Sequence, residues 1–181
     1  MLTMFYPNFL VDSVLELTLD RLMSLGVKLL LLDVDCTLKQ YKNQEPEPGI
    51  LEWLEEIKKS GIQACLLSNG VAKRIEPFAK SVGLPFIAQA CKPFTSGCTR
   101  ACRTWNCDPS TALVVGDQIF ADVLAGNWAG MRTALVKPIH PEQEHWFTKI
   151  KRPFEKIVLK AFARDCPSGI WIPETSKKSQ Y

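Results

Sequence analysis

The sequence predicts a doubly wound α/β fold, three layers deep, with a parallel sheet between two sets of helices. Three observations lead there. Compact apolar runs recur without the polar alternation of a half-exposed strand, the habit of strands buried on both faces. Stretches with apolar residues at helical spacing separate them, and such alternation builds parallel sheets with right-handed crossovers. The runs end on polar or charged residues, where open parallel sheets place their chemistry.

The chain has 181 residues, enough for one domain with a substantial core. Apolar residues make up 46% and charged residues 23%, the balance of a soluble globular protein. A net charge of +3 favours anionic substrates or surfaces but is too small to point to nucleic acid. No apolar run approaches the roughly 18 residues of a membrane span. The apolar opening, residues 1–10, has no positive flank, Arg21 being the first base, so no signal peptide is expected. Seven cysteines, several of them in apolar elements, fit reduced thiols in a cytoplasmic setting better than a disulfide framework.

Residues 1–10 read as a loop or a surface-seeking segment. From Val11 to Leu25, the residues Leu15, Leu19, Leu22 and Met23 share a helical face, with Asp12 or Ser13 to cap it and Gly26 to end it. The central strand follows, running through Leu29-Leu30-Leu31-Leu32 to Asp33. Lys39 to Glu47 is a polar connection. Pro48 then opens a helix with Ile50, Leu51, Leu54 and Ile57 inward and Gly61 as its stop. Ile62 to Leu67 is the second strand. Val71, Ile75, Phe78 and Val82 mark a helix that Pro77 should bend or delay. Pro85 to Ala90 reads as a short third strand, and Cys98, Ala101, Cys102 and Trp105 as a helix face. Thr111 to Val115 is the fourth strand, Ile119 to Ala129 a helix, and Arg132 to Val136 the fifth strand. A last helix, Glu144 to Ala163, should be interrupted at Pro153. Residues 1–164 then form one domain, and 165–181, rich in Pro, Gly, Ser and Lys, a flexible tail.

The chemistry lies at the strand ends. Asp33 and Asp35 repel each other and want water or a metal. Asp33 can attack a phosphoryl group while Asp35, turned the other way, handles the leaving group's proton. A divalent cation between them relieves the repulsion and keeps Asp33 ionised. Taken alone, the pair is equally well read as two solvated acids. The other strand ends tip the balance: Ser68 and Asn69 close the second, Lys92 follows the third, and Asp117 follows the fourth. Phosphoryl transfer needs this set of nucleophile, proton carrier, phosphate donors and metal ligand. Arg74, just after Ser68, is placed to receive a substrate anion.

Read in order, Asp33-Val34-Asp35-Cys36-Thr37, Leu67-Ser68-Asn69, Lys92-Pro93 and Gly116-Asp117 through Asp122 resemble the motifs of the haloacid-dehalogenase-like phosphatases. The resemblance implies the corresponding Rossmann-like fold and an aspartyl-phosphate mechanism with Mg2+. Asp33 would be the nucleophile and Asp35 the general acid/base. Thr37, Ser68, Asn69 and Lys92 would surround the phosphate. Asp33, Asp117 and the Asp35 carbonyl would hold the metal, with Asp122 orienting Lys92 or a metal-bound water. A narrower likeness runs from Val11 to Lys160. Leu84-Pro85-Phe86-Ile87, Cys91-Lys92-Pro93, Val115-Gly116-Asp117-Gln118, Gly126-Asn127-Trp128-Ala129-Gly130 and Thr148-Lys149-Ile150-Lys151-Arg152 resemble the capless IIIA-type group, the YqeG-like proteins and phosphatidylglycerophosphatases. Cys36, Gly70 and Trp128 depart from that group's pattern.

Loop lengths point independently to an uncapped site. Lys39 to Glu47 holds no lid, and Asn69 to Lys92 has room for one helix and one strand only. An open mouth fits a phosphate on a large substrate, such as phosphatidylglycerophosphate, better than a small metabolite that must be sealed from water. The aromatic residues Phe5, Tyr6 and Phe9 could then give peripheral contact with a membrane. A phosphoacceptor signalling domain, a non-catalytic scaffold and a phosphatase of soluble phosphoesters are the competing readings. Cys36, at the mouth, is expected to offer an accessible thiol. Cys91, Cys98, Cys102 and Cys107 lack the tight pairing of zinc modules and read as helix packing.

Overall fold

A computed structural model describes residues 2–143 and 146–171. The expected three-layer α/β fold is present. Six parallel strands are ordered β1-β6-β5-β2-β3-β4: β1 is Phe9–Val11, β2 Leu29–Leu32, β3 Gln63–Leu67, β4 Phe86–Ile87, β5 Ala112–Gly116 and β6 Arg132–Val136. The helices are α1 (Leu19–Ser24), α2 (Ile50–Lys59), α3 (Ala72–Val82), α4 (Ser96–Thr104), α5 (Leu124–Trp128) and α6 (Trp146–Asp165).

The central strand explains its own composition. Leu30 and Leu32 enter a core shared with Ile50, Leu54 and Ile57 of α2 and Ile75 and Phe78 of α3. Leu29 and Leu31 point the other way, against Cys98, Ala101 and Cys102 of α4. Both faces are covered, so every position must be apolar. Register then levels the neighbours, since Leu32 lies opposite both Leu66 of β3 and Val115 of β5. The residues just beyond, Asp33, Ser68 and Asp117, therefore emerge together at the carboxyl edge.

Several local expectations are corrected. Phe9–Val11 is an edge strand pairing with β6, not the start of a helix. Its buried-exposed-buried alternation is the period of a strand, and Ser13 and Thr18 cap a 3-10 turn (Val14–Glu16) and then α1. Leu15 and Met23 are consequently exposed. In α2 Trp53 takes the inward place given to Leu51, its indole donating to Leu17 O at 2.9 Å. Helices α3 and α6 run through Pro77 and Pro153, which lie on exposed faces where water can meet the carbonyls they release. The third strand shrinks to two residues because the chain turns at Gln89 and Cys91, both at positive φ.

The aromatic residues assigned to a membrane are in the core. Tyr6 and Phe9 are buried, and the Phe5 ring meets Phe120 edge-on. Tyr6 packs edge-on against Phe162 of α6 and donates to Asp165 Oδ2 at 2.6 Å. Beyond α6 the chain does not leave the body at once: Ile170 bridges Phe9, Leu10 N donates to Gly169 O, and Trp171 meets Tyr6. The rest of the expected tail, 172–181, lies outside the described residues.

Candidate active site

Lys92 sits at the centre, buried, at the end of the loop after β4. Its ammonium donates to Asp33 Oδ1 at 2.5 Å, Asp122 Oδ1 at 2.6 Å and the Leu67 carbonyl at 2.7 Å. All three of its donors are thereby used. Asn69 fixes the lysine's backbone from both sides, donating to Lys92 O at 2.9 Å and accepting from Lys92 N at 2.7 Å. Burial works to lower the lysine's pKa, but the charges of Asp122 and Asp33 overcome it and hold the ammonium protonated.

Asp33 follows β2, its N–H donating to Val115 O at 2.8 Å. Burial, with Asp122 and Asp35 nearby, pushes its pKa up to about 7 against the pull of Lys92. Asp117 follows Gly116, where any side chain would overlap the Asp122 carboxyl. Burial, then the charge of Asp33, raises the Asp117 pKa well above the usual carboxylate range. Its Oδ2 pairs with Arg152 of α6, which also donates to Asp117 O at 2.7 Å, whereas its buried Oδ1 has no hydrogen-bond partner. Asp122 lies in a π-helical turn, Ile119–Val123, and takes Gln118 N on its second oxygen at 3.1 Å.

Carboxylate oxygens of Asp33, Asp117 and Asp122 come within 4.8 Å of one another, which among the described residues is the arrangement that could hold a metal. Three hard oxygen donors and an orphaned buried oxygen fit a divalent cation of the Mg2+ kind. The Asp35 carboxylate is not part of that cluster. Its Oδ2 accepts from Arg74 Nη2 at 2.6 Å, and its Oδ1 accepts from Arg74 Nη1 at 3.0 Å and Lys39 Nζ at 2.8 Å. Burial opposes the charged form, but Arg74 and Lys39 prevail and hold the carboxyl below its usual range. Arg74, expected to await an anion, is thus engaged with Asp35 and lies over the Tyr41 ring.

A cavity of about 100 Å³ opens at this edge, lined among others by Asp33, Asp35, Ser68, Asn69, Arg74 and Lys92. Ser68 Oγ accepts from Gly70 N at 3.0 Å, which shapes the turn. Thr37 is buried, is not among the residues that line the cavity, and its hydroxyl lacks a partner. Cys36 lines the cavity as its place at the mouth predicts, but at 3% exposure it is not the accessible thiol expected, and its backbone is at positive φ. The four cysteines weighed for zinc form no metal-holding group among the described residues.

Sequence reasoning missed Lys39 and Glu155 and met Arg152 only as the end of a motif. Lys39 falls in a stretch whose polar composition predicts a solvated loop, yet it is 1% exposed. Glu155 is buried on α6, accepting from Ile119 N at 2.7 Å and pairing with Arg152 at 2.9 Å. The i, i+3 spacing of Arg152 and Glu155 was the available signal. Around the site, the ion pairs among the described residues join five acids (Asp33, Asp35, Asp117, Asp122 and, through Arg152, Glu155) to four bases (Lys39, Arg74, Lys92 and Arg152). One proton on Asp33 or Asp117 makes the set neutral, consistent with the raised pKa of both.

Residues 10–130 match the family model of the haloacid dehalogenase-like hydrolases. The chain belongs to that family. The resemblance read from its four motifs is therefore borne out for this hydrolase. It is 33% identical over 160 residues to "Probable phosphatase YqeG" of Bacillus subtilis, covering 88% of this chain and 92% of the relative. It is 26% identical to "Phosphatidylglycerophosphate phosphatase 1, chloroplastic" of Chlamydomonas reinhardtii, over 83% of this chain and 60% of that protein. Among solved structures, a hypothetical protein of Xanthomonas campestris superposes with a TM-score of 0.52 at 19% identity, covering 77% of this chain and 79% of the other. That similarity concerns the fold.

Proposed function

We propose that this hydrolase is a Mg2+-dependent phosphomonoesterase working through an aspartyl-phosphate on Asp33. One observation carries the reading: at the carboxyl edge of three parallel strands, Lys92 ties Asp33 to Asp122 beside an unpartnered oxygen of Asp117. An Asp33 oxygen attacks phosphorus and the ester P–O bond breaks, with the departing alkoxide taking a proton from Asp35. Water then attacks the acyl phosphate, giving its proton to Asp35, and inorganic phosphate leaves with Asp33 regenerated. Asp33 and Asp117, together with the Asp35 carbonyl or the nearby Asp122 carboxylate, would hold the cation, which supplies charge neutralisation when bound. Lys92, by giving up one of its three present acceptors, and the backbone around Ser68 would donate to the phosphoryl oxygens. A phosphate dianion also draws the Arg74 fork away from Asp35, and Asp35 can then take up the proton it must deliver.

For the substrate, the reading is a phosphate at the end of a large molecule, of the phosphatidylglycerophosphate kind. The cavity of about 100 Å³ is far below the roughly 300–1,000 Å³ of sites that enclose a small molecule, so the body of the substrate stays outside. The chloroplast relative's name points the same way. No helix among the described residues is long and apolar enough to cross a membrane. Phosphate release from para-nitrophenyl phosphate with and without Mg2+ tests the chemistry. Sustained Mg2+-dependent turnover is expected; a single stoichiometric burst would make the protein a phosphoacceptor instead. Release from phospholipids against sugar phosphates and phosphopeptides tests the substrate, and preference for a soluble ester overturns the lipid assignment.

A further inference from the structure

Helix α6 hides one face and leaves the flank beside it bare. Val158, Phe162 and Glu155 are buried against the body. Trp146, Ile150, Phe154 and Ile157 are 64, 55, 60 and 61% exposed. At about 1.5 Å per residue they form a stripe about 16 Å long, more contiguous apolar surface than scattered exposed residues explain. The helix also carries six Lys and Arg against two acids, a net +4, whereas the whole chain carries +3. The rest of the molecule is therefore slightly acidic, and its positive charge is concentrated here.

The order of side chains around the helix adds a direction. At about 100° per residue, Thr148 and Arg152 lie on the side toward the site: Thr148 lines the cavity and Arg152 holds Asp117. Next come Lys149, Lys156 and Lys160, all exposed, and after them the apolar stripe. The bases thus stand between the catalytic mouth and the apolar surface.

We propose that this outer face of α6 docks on an anionic bilayer. The stripe enters the boundary between headgroups and acyl chains, and the three lysines meet the lipid phosphates. The charge favours this occupant, because an ordinary protein contact does not call for a row of bases along one edge of an apolar stripe. The surface joins the cavity through Thr148, so docking brings headgroup phosphates beside Lys92 and Asp33. Only this last consequence rests on the phosphomonoesterase reading; the docking itself does not.

The test is sedimentation of the full chain with vesicles of phosphatidylcholine alone or mixed with phosphatidylglycerol, with para-nitrophenyl phosphate turnover measured in parallel. Wild type should sediment with the anionic vesicles, only weakly with neutral ones, and less as salt rises. The triple variant Ile150→Ser/Phe154→Ser/Ile157→Ser and the double variant Lys156→Glu/Lys160→Glu should each weaken binding about tenfold or more. Both should keep wild-type turnover of the soluble ester, since none of these residues touches the site. Wild type remaining in solution, or variants binding as wild type does, overturns the proposal. So does a wild-type dimer that the triple variant converts to monomer, because the face then joins two copies of the chain. Vesicle binding without any ester turnover keeps the docking and overturns the phosphatase reading; turnover without vesicle binding does the reverse.

Discussion

Arg152→Ala removes the cation that ties α6 to the strand-end carboxylates. The Asp117 side chain is fully buried and that of Glu155 is 4% exposed, against 19% for Arg152, so two acids would lose their counter-ion out of reach of water. Breaking a buried pair by deleting one partner costs about 3–5 kcal/mol. Because Arg152 keeps some contact with solvent, about 3 kcal/mol is expected for the metal-free protein. For a chain of this length that lowers Tm by about 6–12 °C. Saturating Mg2+ should restore part of the loss, since Asp117 then regains a cation. The Asp117 carboxylate would also lose its fixed orientation, and kcat with saturating Mg2+ should fall about 10–100-fold. Arg152→Lys should fall between, with charge but no fork. Thermal unfolding with and without Mg2+, repeated in an Asp117→Asn background, separates the pair from other packing. A loss below about 1 kcal/mol, or one of equal size in that background, would refute the assignment.

Asp33→Asn should cut turnover on the order of 10³-fold or more, measured as phosphate release. Its metal-free stability should rise relative to wild type. A raised carboxyl is stabilised while protonated and loses that advantage as pH rises through about 7, so the gain in urea unfolding should be larger at alkaline than at acid pH. Asp35→Asn should lose about 10²- to 10⁴-fold in turnover. The Asp35 pKa is lowered, so its ion pairs stabilise above the ordinary carboxyl range and fade as pH falls through the folded value. The stability gap to Asp35→Asn should therefore be present at neutral pH and close in acid. Protons on Asp33 and Asp117 compete with the cation, so Mg2+ affinity by calorimetry should weaken as pH drops below about 7. An affinity constant across that range would count against the carboxylate site. A cation and a phosphate dianion each unbalance the near-neutral set of ion pairs, and together they cancel. Each should tighten the other at least about fivefold, and a phosphate affinity indifferent to Mg2+ would contradict this.

The strands that could be read were those whose composition is set by burial on both faces. β2, β3, β5 and β6 lie within a residue or two of their apolar runs, because covered strands tolerate nothing else. β1 escaped because Phe9, Leu10 and Val11 are all apolar, so its alternation in burial leaves no mark in the sequence, and its partner, β6, lies more than a hundred residues away. Pro77 and Pro153 misled because the rule about proline in helices concerns local geometry. Whether the released carbonyl finds water depends on which way the helix faces, and that is decided by the whole fold.

The same division runs through the site. Asp33, Ser68, Lys92 and Asp117 were legible because each interrupts or follows an apolar run, and parallel register brings such interruptions to one edge. Lys39, Arg152 and Glu155 look in the sequence like solvated charges on a loop and a helix. Their burial follows from the acids they meet: Lys39 answers Asp35, and Arg152 answers Asp117. A cluster of carboxylates drawn inward at two neighbouring strand ends cannot fold without cations brought from elsewhere. Once Asp33, Asp35, Asp117 and Asp122 are placed together, bases near them in space are required even where nothing local announces them. Lys92 alone cannot balance four acids. The charge of the acids already calls for partners like Lys39 and for an element such as α6 to supply Arg152.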